Sequence, residues 1–342
     1  MTARELFRDN PLCRLLSIDY PICQAGMYQV AYGRLAAAVS AAGGLGVIGS
    51  AFMSADELRR EIRIAQGETD RPLGVDVLFA QVQATDSRTA GYTRQVQEHL
   101  EVVFSEDVQV LVSGLGNPAA ALPDARAKGM AVMALVGTSR QAVRVAEAGV
   151  DVVIASGHEG GGHVGRVGTM ALIPRVVDSV AVPVLAAGGL ADGRGLLAAM
   201  ALGAVGVWMG TRFIASDEAR GHVNYKQRIV DIDEDGTVVT RAHSGKPNRM
   251  IRNAFTRSWE GREAEIKPYP TQMLEVGGPA SIRGRLEGDV ENGVLAAGQG
   301  AGSIHAIKPA GEIVRDIVAE FEAALAGLPN GAGGAMLSAD AS

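Results

Sequence analysis

The stretch IASGHEGGGHVG (154–165) holds five glycines and two imidazoles, His158 and His163. Glycine loses more backbone freedom on folding than any other residue, so such a loop is costly to order unless something must approach its backbone closely. A histidine in that gap can serve as a general acid or base near neutral pH without adjustment of its pKa. Two further glycine-bearing stretches, AAGGLADGRG (186–195) and MGTR (209–212), also follow apolar runs. Bare backbone N–H groups at helix starts bind phosphate, and Gly188, Gly189, Gly210 and Thr211 suit that task. A loop histidine bonded to nearby backbone, and glycines that merely make tight turns, are the plain alternatives. Three such loops together favour a phosphorylated ligand.

Other chemistries lack their residues. No GxGxxG directly follows the first apolar run, no GxSxG elbow occurs, and no histidine pair has metal-ligand spacing, so no metal is expected. Of the remaining histidines, His99, His222, His243 and His305, only His243 draws notice, because it lies in a basic stretch. Cys13 and Cys23 show neither CxxC spacing nor a zinc pattern and read as buried thiols.

These residues need a frame. Apolar runs bounded by Gly, Pro or Asp recur at 21–27, 44–50, 72–79, 108–114, 129–136, 151–157, 183–189 and 206–212. They are short and nearly continuous, as strands covered on both faces should be. Helical periodicity fills intervals such as 32–43, 54–66, 138–149 and 191–203. Ser54 with Glu57 has the form of a capping box, and Gly149 and Gly203 stand at expected C-caps. Eight alternations predict an α/β fold, a (β/α)8 TIM barrel, with a doubly wound open sheet as the alternative. In a barrel the strand C-termini carry the chemistry, which places all three glycine loops at one rim.

After residue 213 the rhythm changes. The barrel is expected to occupy 1–213 and 296–328, with 309 onward as its last helix, and 214–295 to be a small, mostly helical insertion. Residues 329–342 read as a disordered tail. The insertion carries a basic run with Arg241, Lys246, Arg249, Arg252 and Arg257. Such a run is by default a solvated face. The sharper expectation is that some of these side chains meet the phosphates of NAD(P)H or coenzyme A at the barrel mouth.

With 47% hydrophobic and 20% charged residues and a formal net charge of −6, the chain reads as a globular protein with no nucleic-acid partner. No apolar stretch is long enough to span a bilayer and the N-terminus lacks a signal-like segment, so no membrane partner and a cytoplasmic location are expected.

Taken as a set, QAGM (24–27), AAGGLG (41–46), SGHEGGGHVG (156–165), AAGGLADGRG (186–195), MGTRF (209–213) and GQGAG (298–302) resemble the nitronate monooxygenase family, formerly the 2-nitropropane dioxygenases. That family consists of FMN-dependent TIM barrels and includes flavin-dependent enoyl-ACP reductases and NADH:quinone reductases. The resemblance implies that Ala25, Gly26 and Met27 lie along the flavin ring, with Asp76 at the end of strand three beside it. It implies that Ser156, Gly157, Gly161 and Gly162 pass next to the flavin. Gly188, Gly189, Gly210 and Thr211 would hold the FMN phosphate, Gln299 would return to the site, and His163 matches the catalytic histidine.

Two departures are visible. The family usually has Asn where Asp76 stands, and some members have a basic residue at the end of strand five, where this chain has Ala134, Leu135 and Val136. A carboxylate there would oppose the charge of reduced FMN unless protonated or paired. The expected activity is oxidation of alkyl nitronates by O2 through the flavin, with a small-molecule substrate. The alternative is NAD(P)H-dependent reduction of a conjugated double bond in an enoyl thioester, on ACP or CoA, or of a quinone. A barrel binding phosphorylated ligands without flavin is the rival from another class. A homodimer is the assembly left open.

Overall fold

The computed structural model describes residues 3–79 and 93–328; the expected tail at 329–342 lies outside them. Eight parallel strands form the sheet: β1 (Ile22–Gln24), β2 (Gly46–Gly49), β3 (Leu73–Phe79), β4 (Val110–Gly116), β5 (Ala131–Val136), β6 (Val152–Ser156), β8 (Val184–Ala187) and β9 (Gly206–Met209). Their order runs from β1 through β9, β8, β6, β5, β4 and β3 to β2. All eight fall on the apolar runs read from the sequence. The seam closes where Cys23 bridges Leu45, with the amide of Gln24 donating to Leu45 O at 2.9 Å. The buried Gln24 side chain reinforces it, accepting from the Val47 amide at 3.1 Å and donating to Val47 O at 3.1 Å. The result is a closed (β/α)8 barrel.

Val47, Val75, Leu111, Val132, Ile154, Leu185 and Val207 are all fully buried within one continuous core. This is why the strands read as unbroken apolar runs rather than alternating ones. Helices Gly33–Ala41, Ala55–Glu68, Ser139–Ala148 and Gly193–Ala201 occupy the periodic segments. Ser54 does cap its helix through the Glu57 amide at 3.1 Å, but the Glu57 carboxylate turns to Arg220 at 3.3 Å instead of completing a box. Gly149 and Gly203 take the left-handed conformation beyond their helices, at φ +102° and +91°. The last barrel helix, Ala310–Ala326, packs on Gly193–Ala201. A side chain at Gly193 would lie 2.1 Å from the Phe321 nitrogen, so glycine sets that close approach.

The segment between β9 and this last helix contains the helices Val223–Asp231 and Gly278–Arg285 and several shorter turns. It also contains a hairpin that the sequence reading did not anticipate, β10 (Thr237–Thr240) and β11 (Asn248–Ile251). Beyond β6 the glycine-rich loop forms a two-residue strand, β7 (Gly162–His163), which joins β11 antiparallel as the third strand of this ribbon. Ile251, Leu295, Tyr225 and Ile229 from this segment enter the barrel's own core cluster.

Candidate active site at the barrel mouth

His163 is positioned by the ribbon. Asn248 stands opposite it and Arg249 opposite Gly162, and the Val164 amide donates to Pro247 O at 3.2 Å. Its Nε2 lies 2.7 Å from Ser244 Oγ. Behind it the His243 ring is buried, 6.1 Å away between centroids, with Nδ1 at 3.1 Å from Asn248 Nδ2 and Nε2 at 3.3 Å from Ser281 Oγ. Burial, then the charges of Lys246 and Arg285, push the His163 pKa below its usual 6.5. The residue as a whole keeps an exposed surface, so water dampens that shift without changing its sign. For His243, burial first, then Arg285 and His163, push it down to about 3. Both rings are therefore neutral at neutral pH.

The glycines divide into two kinds. A Cβ on Gly157 would sit 2.1 Å from Thr169 Oγ1, on Gly161 2.7 Å from the Ala297 carbonyl carbon, and on Gly188 2.9 Å from Gly157 O. At these positions the protein packs against itself, so the plain reading of a tight turn accounts for them. At Gly162, with φ +78°, an added Cβ would meet nothing within 4 Å, and at Gly210 only Met27 Sδ at 3.4 Å and Ala25 Cβ at 3.6 Å. These two keep room beside the backbone. Gly188 and Gly189 are both left-handed and follow β8, while Gly210 and Thr211 follow its neighbour β9. GQGAG crosses above them: the Gly298 amide donates to Thr211 Oγ1 and the Gln299 amide to Glu159 O, each at 2.9 Å. Ala25, Gly26 and Met27 follow β1, the other neighbour of β9, and Ser156 ends β6.

Asp76 lies midway along β3 rather than at its end, because β3 runs on to Phe79. It is nevertheless at the rim, since it pairs with Gly49, the last residue of β2. Its side chain is clasped by two glycines: a Cβ added at Gly26 would lie 2.4 Å from Asp76 Cβ and 2.7 Å from Oδ2, and one added at Gly114 2.4 Å from Oδ1. The Gly114 amide donates to Oδ1 at 2.8 Å. With one hydrogen bond and no ion pair among the described residues, burial dominates and lifts its pKa to about 8. The carboxyl is thus neutral near pH 7, which removes the charge conflict expected from Asp at this place.

The basic run does not act as one surface. Arg249 is buried and donates to His158 O at 3.1 Å and to Thr237 Oγ1 at 2.9 Å, so it ties the ribbon together. Arg257 pairs with Glu291 at 3.5 Å and Arg241 donates to Gly245 O at 2.9 Å. Lys246 lies over the Tyr269 ring at 4.2 Å and acts on His163 through its charge. Arg252 is exposed. His158 is held through Nδ1, 2.7 Å from Gly165 O, which makes it a loop fastener.

Several participants escaped the sequence reading. Glu159 accepts from the Thr169 amide and hydroxyl at 2.9–3.0 Å and so seals the start of helix Thr169–Val177. The spacing from Glu159 to the Thr169 helix start was its only signal. Arg285, buried, donates to Tyr28 O at 3.1 Å, next to Gln29, which is left-handed at φ +64°. Ser244 was hidden among charges. Among the described residues no group of three His, Cys, Asp or Glu could hold a metal ion, and no helix is long and apolar enough to cross a membrane. Cys13 and Cys23 are buried free thiols.

A family model described as "Nitronate monooxygenase" matches residues 9–320. The chain is 32% identical to a (3aS,4S,5R,7aS)-5-hydroxy-7a-methyl-1-oxo-octahydro-1H-indene-4-carboxyl-CoA dehydrogenase of Mycobacterium tuberculosis, over 90% of this chain and 95% of the relative. It is 35% identical to a probable nitronate monooxygenase of Staphylococcus haemolyticus, over 78% and 85%. Among solved structures, FabK from Thermotoga maritima matches with a TM-score of 0.84 and 40% identity, over 93% of this chain and 97% of that one. Nitroalkane oxidase from Streptomyces ansochromogenes matches with a TM-score of 0.83 and 31% identity, over 93% and 99%.

Proposed function

The chain belongs to the nitronate monooxygenase family and is an oxidoreductase, and from that premise we propose that it oxidises alkyl nitronates at an FMN held in the barrel mouth. His163 would be the base that converts a neutral nitroalkane into the nitronate.

The observation that carries this reading is the state of His163. Burial, then the charges of Lys246 and Arg285, push its pKa down, so at neutral pH the ring is uncharged and keeps one nitrogen able to accept a proton. Nε2 is occupied by Ser244, and Nδ1 has no hydrogen-bond partner among the described residues. Proton removal from a carbon next to a nitro group needs such a group, and a placed base contributes roughly 10²–10⁴-fold.

The residues present fit a flat phosphorylated cofactor. Gly162 and Gly210 offer backbone with room beside it, and Ala25, Gly26, Met27 and the neutral Asp76 would line the ring. The amides of Gly188, Gly189, Gly210 and Thr211, at the ends of two adjacent strands, would hold the phosphate. FMN, when bound, supplies the acceptor for the substrate's electron pair and a route from it to O2. Around it, the protonated Asp76 would add no negative charge.

A second reading is an NAD(P)H-dependent reductase of an enoyl thioester. The near full-length similarity to a CoA-thioester dehydrogenase supports it, as does Lys246 at the mouth, a cation suited to phosphates. Anaerobic mixing separates the two. Bleaching of the yellow protein by a nitronate is expected; bleaching by NAD(P)H alone would reject the first reading in favour of the second. Protein that is colourless and takes up no FMN would reject both.

A further inference from the structure

We propose that Ser244 is a positioning residue that holds Nε2 of His163, so that Nδ1 is the atom that takes the substrate's proton. This rests on the reading of His163 as a base.

His163 follows Gly162, whose left-handed backbone has open space beside it, so the loop alone gives the imidazole little restraint. The ladder to β11 fixes its backbone, and the 2.7 Å contact to Ser244 Oγ is the hydrogen bond that holds its ring. Ser244 is itself fully buried and rigidly placed. It belongs to a tight turn in which the Gly245 amide donates to Arg241 O at 2.8 Å, and Gly245 is left-handed at φ +80° and packed against Lys267 O. A partner this fixed can hold an imidazole in one orientation.

The bond also bears on the tautomer. A neutral imidazole that accepts a proton at Nδ1 must carry its own proton on Nε2; in this assignment that proton lies in the 2.7 Å contact and Ser244 Oγ accepts it, alongside the Lys246 amide at 3.4 Å. The α-proton of a nitroalkane then moves to Nδ1, the C–H electron pair stays on the substrate as the nitronate, and the imidazolium keeps its Nε2–H bond to Ser244. No ring movement is required, and no electrons leave the substrate in this step.

The test exploits two substrates. A neutral nitroalkane needs the base, whereas a preformed nitronate does not. Ser244→Ala is expected to slow turnover of the nitroalkane by about tenfold or more, a fraction of the usual acid–base contribution. Turnover of the nitronate should stay within about twofold, and Ser244→Thr, which keeps the hydroxyl, should recover the loss. Independently, ¹⁵N-histidine NMR of the wild-type protein should show His163 protonated at Nε2, with the Ser244→Ala variant giving an average of both tautomers. A wild-type ring protonated at Nδ1, or an unchanged ratio of the two substrate rates in Ser244→Ala, would overturn the proposal. His163→Ala separates the two levels: if it leaves nitroalkane turnover intact, the reading of His163 as a base fails. If it abolishes that turnover while Ser244→Ala does nothing, only the role of Ser244 fails.

Discussion

Asp76 Oδ1 accepts a 2.8 Å hydrogen bond from the Gly114 amide, across the boundary between β3 and β4, and that single bond is the described stabilisation of a buried carboxyl. The group therefore holds its proton up to about pH 8, against an ordinary value of 3.8.

Between those two values the folded protein carries a proton that the unfolded chain has released. Stability from this group is full below the unfolded value and declines as pH rises toward about 8. Asp76→Asn removes the titration. Its melting temperature should fall less than that of the wild type between pH 4 and pH 8; parallel curves would show that Asp76 is ionised in the fold.

The same clasp sets a steric limit. In Gly114→Ala the new methyl would lie 2.4 Å from Asp76 Oδ1 and 2.6 Å from Oδ2. Overpacking of this kind costs about 1–3 kcal/mol. Adding Asp76→Ala removes the opposing oxygens, so denaturant titration of the double variant should give less destabilisation than the sum of the single changes. Simple additivity would mean that the backbone, not the carboxyl, yields.

Lys246 is a cause of the lowered His163 pKa, second to burial. Lys246→Ala should raise that pKa toward 6.5, moving the acid limb of nitroalkane turnover to higher pH. Added salt should shift the wild-type limb in the same direction and the variant's less. A limb that stays in place would separate Lys246 from the base.

Glu159 closes the start of helix Thr169–Val177 and its backbone receives Gln299. Glu159→Ala should cost about 0.5–2 kcal/mol as a lost helix cap. It should also weaken FMN binding, measured by fluorescence quenching on titration, because the carboxylate pins the loop whose Glu159 carbonyl seats GQGAG. Stability loss with undiminished affinity would confine Glu159 to capping.

The eight staves were legible because each is covered on both faces and so reads as an uninterrupted apolar run. The rim glycines were legible as a group, but their reasons were not: Gly157 answers to Thr169 at the start of the next helix, and Gly161 to Ala297, which lies far along the chain. The hairpin went unseen because its strands, TVVT and NRMI, are four residues each and sit among charges that suggest a solvated face. Arg249 illustrates the difficulty, since a guanidinium read as surface is buried between His158 and Thr237. Asp76 carried the opposite problem. Its identity was plain, yet its protonation depends on Gly26 and Gly114, brought to it only by barrel closure.

Because the strand bearing His163 is completed by residues about eighty positions downstream, the groups that hold the imidazole come from a different stretch of polypeptide than the loop that carries it. Sequence drift confined to 237–251 can re-aim the imidazole or retune its basicity while the rim glycines stay untouched. A graft of that ribbon between relatives is thus a compact route to exchanging one reaction for another on an unaltered scaffold.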